Sequence, residues 1–253
     1  MNQRISILGC GWLGSALTHT LIAKGYSVYG STRSNINVRE PKGITPFVID
    51  ISERDYNYSI FLASDILIIA IPSKNIVDFK YLINQIEKSE VRKIIFISAT
   101  SVYPNTNGTV TEETETNSSP LANIEKLFKS NSVIEATIIR FGGLFGYDRK
   151  PGNFVNTNKI IQNPEGYINL IHRDDCIRII ETIIKKNAWN TILNACTNSH
   201  PTRREFYLKE VKKLGEIAIN FDEKSESNYK IVSNEKLKKL LDYEFKYSNL
   251  MDY

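Results

Sequence analysis

The sequence predicts an α/β fold, a doubly wound parallel sheet of about seven strands with a small C-terminal lobe. Three observations predict it. Strand-sized apolar runs alternate with helix-patterned segments along most of the chain. Some of these runs are apolar on both faces, as in Ile66-Leu67-Ile68-Ile69-Ala70-Ile71, which is the pattern of a sheet covered on both sides. The first run, Ile5-Ser6-Ile7-Leu8, is joined to the first helical segment by the glycine turn Gly9-Cys10-Gly11-Trp12-Leu13-Gly14.

The elements follow in order. After the glycine turn, Leu13, Leu17 and Leu21 mark one face of a helix that Gly25 terminates, and Tyr26-Ser27-Val28-Tyr29 is the second strand. Ile44 to Ile51 reads as a third strand and Asp65-Ile66 to Pro72 as a fourth. Ile76, Phe79, Ile83 and Ile86 form a helical stripe before the fifth strand, Lys93 to Ser98. Thr137 to Phe141 is a sixth strand and Thr191-Ile192-Leu193-Asn194 a seventh. The β-α-β alternation breaks near residues 150–168 and again after Pro201, so the expected division is a dinucleotide-binding domain over 1–200, with an excursion into the lobe near 150–168, and a small lobe over 201–253.

The turn has Gly-x-Gly-x-x-Gly spacing between a strand and a helix, the signature of a Rossmann dinucleotide site. The first glycine allows a sharp turn, the second lets backbone approach a pyrophosphate, and the third lets helix and strand pack closely. Gly9, Gly11, Trp12, Leu13 and Gly14 are therefore cofactor-binding candidates, with the phosphates on the helix N-terminus. An NAD site usually carries an acid about 20 residues on, for the ribose 2′-OH. This chain has no acid between Gly14 and Glu40 and instead reads Gly30-Ser31-Thr32-Arg33. Ser31, Thr32 and Arg33, whose planar guanidinium matches a phosphate, make NADP the expected cofactor over NAD, with Asp50 at the end of the third strand completing the set.

Bulk composition narrows the classes. The 253 residues are 42% hydrophobic, enough for one large α/β core, and the net charge of +4 is spread among interleaved acids and bases. No clustered basic stripe suggests nucleic acid, and the run Lys236-Leu237-Lys238-Lys239 reads as the wet face of an amphipathic helix. Cys10, Cys176 and Cys196 are far apart, which argues against a zinc site or a disulfide framework, so no metal is expected. The first strand follows closely on Met1, and no apolar run has transmembrane length. A soluble, cytoplasmic protein without membrane or nucleic-acid partners is expected, with an oligomer left open.

Several blocks in order carry a resemblance. They are the glycine turn, Ile97-Ser98-Ala99-Thr100-Ser101-Val102-Tyr103-Pro104, Thr111-Glu112-Glu113, Arg140-Phe141-Gly142-Gly143-Leu144-Phe145-Gly146, and Ile171-His172-Arg173-Asp174-Asp175-Cys176. Up to about Thr197 the chain resembles the extended short-chain dehydrogenase/reductases, the NAD(P)-dependent epimerase/dehydratase group, although that group usually shows Gly-x-x-Gly-x-x-Gly. The resemblance implies a Tyr-x-x-x-Lys pair as acid/base engine and a Ser or Thr that orients substrate. Here no tyrosine is followed four positions on by lysine; Leu121 and Glu125 stand near the pair's positions, and Ala99 stands where the hydroxyl is usual. Ser98, Thr100 and Tyr103 remain as catalytic candidates. Arg149, beside Lys150 in the loop after the sixth strand, and His172 are the candidates for gripping an anionic small-molecule substrate, and Asp175 is expected to cap the following helix.

The functional expectation is an NADP-binding oxidoreductase or epimerase/dehydratase-like protein acting on a sugar nucleotide or similar anionic metabolite. The alternative is a non-catalytic NADP-binding sensor.

Overall fold

A computed structural model describes residues 3–34, 43–154, 160–213, 215 and 219–253. The predicted alternation is present: β1 (Arg4–Leu8), α1 (Trp12–Ala23), β2 (Ser27–Thr32), β3 (Ile44–Val48), β4 (Ile66–Ile69), α2 (Ile76–Glu87) and β5 (Lys93–Ala99) follow one another. The third and fourth strands are shorter than expected at their carboxyl ends, because residues 49–52 and 70–73 leave the sheet to line a cleft. The chain continues with β6 (Gly108–Val110), α3 (Pro120–Lys129), β7 (Glu135–Phe141), β8 (Gly143–Phe145), β9 (Ile160–Ile161), β10 (Leu170–His172), α4 (Arg173–Lys186), β11 (Ile192–Ala195), α5 (Arg203–Lys213), β12 (Asn220–Phe221), β13 (Lys230–Val232) and α6 (Glu235–Leu241).

Among the described residues the main sheet has seven strands in the order β11-β7-β5-β4-β1-β2-β3. β1 pairs in parallel with β2 on one side and β4 on the other, so the strand order reverses there. Such a switch point opens a crevice beyond the strands' carboxyl ends. Three two-stranded parallel pairs, β10-β8, β12-β9 and β13-β6, stand outside the main sheet.

The chain forms two compact units. The first comprises residues 1–98, 118–139 and 180–192, and the second 99–117, 140–179 and 193–253. The excursion expected near 150–168 falls partly outside the described residues, at 155–159.

In the first unit the four residues of β4 are fully buried, as the two-faced apolar run requires. Phe79 of α2, Phe96 of β5 and Phe128 of α3 meet with ring centroids 4.8 to 6.1 Å apart, tying both helices to the sheet. α2 begins at Asn75, whose side chain accepts from the Val77 N–H, and α3 begins at Ser119, with Pro120 at its first position. The second unit has its own core of Phe145, Ile168, Leu170, Phe206 and Leu250.

Asp175 does not cap α4. The helix starts two residues earlier, at Arg173, and Asp175 is fully buried inside its first turn. Its carboxylate accepts from the Tyr243 hydroxyl at 2.7 Å and from the backbone N–H groups of Lys246 and Tyr247 at 2.9 and 3.0 Å. Sequence spacing alone hid this, since those donors lie some seventy residues downstream.

Candidate functional site

The glycine turn opens a cleft of about 640 Å³ in the first unit, beyond the carboxyl ends of β1 to β4. Each of its glycines does something different. Gly9 sits at φ +104°, in the left-handed region that favours glycine, and a Cβ there would lie 2.7 Å from the Ala70 carbonyl oxygen. A Cβ on Gly14 would lie 2.1 Å from the Gly9 carbonyl oxygen, so this glycine is what allows α1 to pack on the turn. A Cβ on Gly11 meets nothing within 4 Å and projects from the cleft wall into open space.

That space faces the start of α1. Gly11 is its N-cap, no side chain caps it, and no acid occupies the first turn. The N–H groups at the head of a helix lack intrahelical partners and stand at the positive end of its dipole, so an anion seated against Gly11 is stabilised there. Trp12 and Leu13 contribute to that helix end with their backbone; Leu13's side chain turns into the core.

The rest of the predicted cofactor set lines the same cleft: Ser31, Thr32, Arg33 and Asp50. Their tasks are unequal. Ser31 is buried, and its hydroxyl accepts from the Gly9 N–H at 3.2 Å while its carbonyl accepts from the Cys10 N–H at 2.6 Å. Ser31 thereby locks the turn. Thr32 donates its hydroxyl to the Ser34 carbonyl at 2.9 Å. Arg33, immediately after β2, is exposed and lines the cleft. Asp50 accepts from the Ser52 N–H at 2.9 Å and its hydroxyl at 2.7 Å; these bonds hold the Asp50 carboxyl below the usual carboxylate range, and Arg33 adds to the effect. The cleft thus presents a cation after β2 and a carboxylate after β3.

The catalytic candidates do not converge. Ser98, in the first unit, donates its hydroxyl to Glu125 at 2.5 Å, and both side chains are buried. Thr100 and Tyr103 belong to the second unit, on the short 3₁₀ turn that follows β5. Tyr103 donates to the Asn194 carboxamide oxygen at 2.8 Å and accepts from Arg140 at 2.5 Å. Burial pushes its phenol up, with Arg140 opposing. Glu112 accepts from the Asn194 N–H at 2.7 Å, so this network fixes β11 within its unit. Of the three, Thr100 lines a cavity of about 730 Å³ in the second unit.

The two substrate candidates are not brought together in that cavity. Arg149 is exposed and forms a tight reciprocal backbone pair with Gly146. His172 is 2% exposed and caged by rings, with the tilted ring of Tyr247 centred 3.8 Å away and Phe145, Tyr253 and Tyr147 at 5.3 to 5.5 Å. Its Nδ1 accepts from the Asp174 N–H at 3.2 Å. Burial pushes the His172 imidazole below its ordinary value, against the opposite pull of Asp174 and Asp175. A folded-state value below the unfolded one contributes stability that is complete above about pH 6.5 and is lost as pH falls further. His200, buried against the Ile168 carbonyl, is lowered by burial as well. Thermal unfolding followed from about pH 7.5 to about pH 5.5 is expected to show a falling midpoint, with a shallower fall in His172→Phe. An equal slope in both proteins overturns that assignment.

With the geometry in place, the likenesses to known proteins are informative. Residues 4–101, which hold the glycine turn and the cleft strands, match the family model described as NADP oxidoreductase coenzyme F420-dependent. Among solved structures, a putative NAD-dependent epimerase/dehydratase from Methylobacillus flagellatus superposes with a TM-score of 0.82 at 21% identity, covering 100% of this chain and 96% of that one. The chain has the fold of the NAD-dependent epimerases and dehydratases. The UDP-glucuronic acid 4-epimerase of Bacillus cereus, solved in complex with NAD, gives 0.79 at 19% identity over 98% of this chain and 93% of that one. In sequence, Protein YeeZ of Escherichia coli K12 is 28% identical over 97% of this chain and 96% of its own length. Within this epimerase/dehydratase fold the chain is atypical in the spacing of its glycine turn.

Sequence reasoning missed some of the cleft's apolar wall, Ile49, Ile51 and Ile71, which only the ends of β3 and β4 bring together. It also missed Arg203 and Lys230 in the second cavity, which no motif marks. Among the described residues no helix is long and apolar enough to cross a membrane, and no cluster of His, Cys, Asp and Glu could hold a metal.

Proposed function

We propose that the chain binds NADP in the cleft of its first unit and acts as an oxidoreductase or epimerase/dehydratase-like enzyme on a sugar nucleotide or similar anionic metabolite. The observation that carries the reading is Gly11, whose missing side chain leaves space against an uncapped helix N-terminus. That space fits a pyrophosphate. Arg33 then meets the adenosine 2′-phosphate, Asp50 accepts from donors of the adenosine end, and Ile49 and Ile51 supply an apolar wall for the base. When bound, NADP supplies a hydride acceptor or donor. The family match over residues 4–101 and the NAD-bound neighbour support a dinucleotide, and the choice of NADP rests on Arg33.

One observation favours a second reading, a non-catalytic NADP-binding sensor. Ser98 and Tyr103 are buried and committed to Glu125, Asn194 and Arg140, so neither has a hydroxyl exposed to a ligand. Following NADPH absorbance for net redox turnover and the sugar nucleotides themselves by NMR for isomerisation or loss of water separates the two: either kind of turnover supports the enzyme, and tight binding with neither supports the sensor.

NADPH is expected to bind at least about tenfold more tightly than NADH, a difference of about 1.4 kcal/mol that one charge-assisted phosphate contact covers. Fluorescence titration of both cofactors checks this, and Arg33→Ala is expected to erase the preference while leaving NADH affinity unchanged. Equal affinities in the native protein overturn the NADP assignment.

A further inference from the structure

One buried carboxylate on the wall of the dinucleotide cleft comes from a helix. Asp78 lines the cleft beside Pro72 and Ser73, yet it belongs to α2 and not to the glycine turn or the strand ends. Its placement follows from the local sequence. β4 ends at the cleft, Asn75 caps the helix that follows, and an acid in that helix's first turn is stabilised by the positive end of the helix dipole. Asp78 is 6% exposed.

Arg54 holds Asp78 in place. Its Nη2 donates to Asp78 Oδ1 at 2.5 Å, and Nη1 of the same guanidinium donates to the Ile51 carbonyl at 2.8 Å. Both nitrogens belong to one planar fork, so Asp78 is fixed next to Ile51, on the part of the cleft wall that faces the base in the proposed function. The guanidinium is itself placed by α2. It lies over the Tyr81 ring, 4.7 Å from the centroid, and the Tyr81 hydroxyl donates to the Arg54 carbonyl at 2.5 Å. Tyr81 and Asp78 stand three positions apart on that helix and so share a face. Helix, arginine and the segment after β3 form one closed clamp, all of it within the first unit.

The other oxygen of Asp78 points to a ligand. Among the described residues it accepts no hydrogen bond, and it is not one of the partnerless side-chain atoms sealed from solvent. The cleft is the cavity that Asp78 lines, so this oxygen opens to the cleft. A carboxylate oxygen only accepts, so the group it meets there is a donor and not a phosphate.

We infer that Asp78, positioned by Arg54, accepts a hydrogen bond from the exocyclic amino group of the cofactor's adenine and selects adenine over a base that carries oxygen in that place. The inference rests on the proposed function for the dinucleotide and for the base's seat against Ile49 and Ile51. The amino group is the donor that belongs to the base, whereas the ribose hydroxyls lie with the phosphates toward Gly11 and Arg33.

Fluorescence titration of the full chain with NADPH and with deamino-NADPH, whose hypoxanthine has a carbonyl oxygen where adenine has the amino group, tests it. NADPH is expected to bind at least about tenfold more tightly, because the analogue sets an acceptor against an acceptor. Asp78→Asn is expected to reverse the preference. Arg54 has only donors to offer, so it keeps the oxygen of the new carboxamide; the amide N–H then faces the cleft, where it suits a carbonyl and opposes an amino group. Arg54→Met, at a side chain that is partly exposed, frees Asp78 to turn and is expected to bring the two affinities within about threefold of each other, whereas a merely structural loss weakens both alike and leaves their ratio. It keeps the test valid if Asp78→Asn disturbs folding. Equal affinities in the native chain, or the native ratio retained in either variant, overturn the assignment of Asp78 and leave the dinucleotide reading standing. Failure of the native chain to bind NADPH overturns the dinucleotide reading and this assignment with it.

Discussion

Gly11→Val is expected to fold like the native chain and to lose NADPH affinity by at least about a hundredfold, or about 2.7 kcal/mol. A Cβ at position 11 meets no atom within 4 Å apart from its own chain neighbours, so the rest of the fold leaves room for it. Valine in place of an N-cap glycine costs the helix less than about 1 kcal/mol. The branched methyls instead fill the space a pyrophosphate needs against the head of α1. Gly14→Ala is the contrasting experiment. Its Cβ would sit 2.1 Å from the Gly9 carbonyl oxygen, a contact that must be relieved by moving either α1 or the turn. Gly14→Ala is expected to lower the thermal midpoint and to weaken NADPH together, whereas Gly11→Val separates the two effects. Circular dichroism melting and fluorescence titration on both variants check the contrast. Full NADPH affinity in Gly11→Val places the phosphates elsewhere and removes the main support for the proposed function.

The second large effect concerns stability. Asp175→Ala is expected to cost about 3 kcal/mol, the range found when one member of a buried charged network is removed. The carboxylate is fully buried, and its loss strands the Tyr243 hydroxyl and two backbone N–H groups, while the Arg178 guanidinium loses a partner at 3.4 Å. Stranded donors without water are costly in themselves. Asp175→Asn keeps an oxygen acceptor in nearly the same volume and is expected to recover about half of the loss. Urea unfolding of the three proteins measures it. A loss under about 1 kcal/mol for the alanine variant would mean that residues 243–247 are held by their apolar contacts alone.

The first half of the chain was legible because its information is local. Strand, turn and helix are adjacent in sequence around Gly9 to Gly14, and Arg33 follows directly on β2, so periodicity and spacing place them. The second unit resisted the same treatment. His172 reads as a site residue from its position in a block, yet its surroundings are set by Tyr247 and Tyr253, far along the chain, and these bury it. Asp175 reads as a cap, yet it serves donors from the C-terminal segment. Lys230 and Arg203 have no motif, because their cavity is assembled from four stretches of chain, at 100–105, 162–170, 203–207 and 225–230. The surroundings of Ser98 were hidden for a different reason. Its residue type suited catalysis, but Glu125, at the position where the resembling family has lysine, takes the hydroxyl into a buried pair.

The interleaving of the two units also governs how the chain can be made. β1 to β4 all lie before residue 98, yet their unit is finished only by residues 118–139 and 180–192. The other unit opens at 99–117 and needs partners as late as 193–253. On the ribosome, therefore, neither unit can close when its first segment emerges, and apolar strands such as β4 wait exposed during synthesis, a period in which they are open to aggregation or chaperone capture. For the same reason no single cut separates the two units: a fragment ending near residue 98 carries the whole glycine turn but lacks the helix that brings Phe128 onto the sheet.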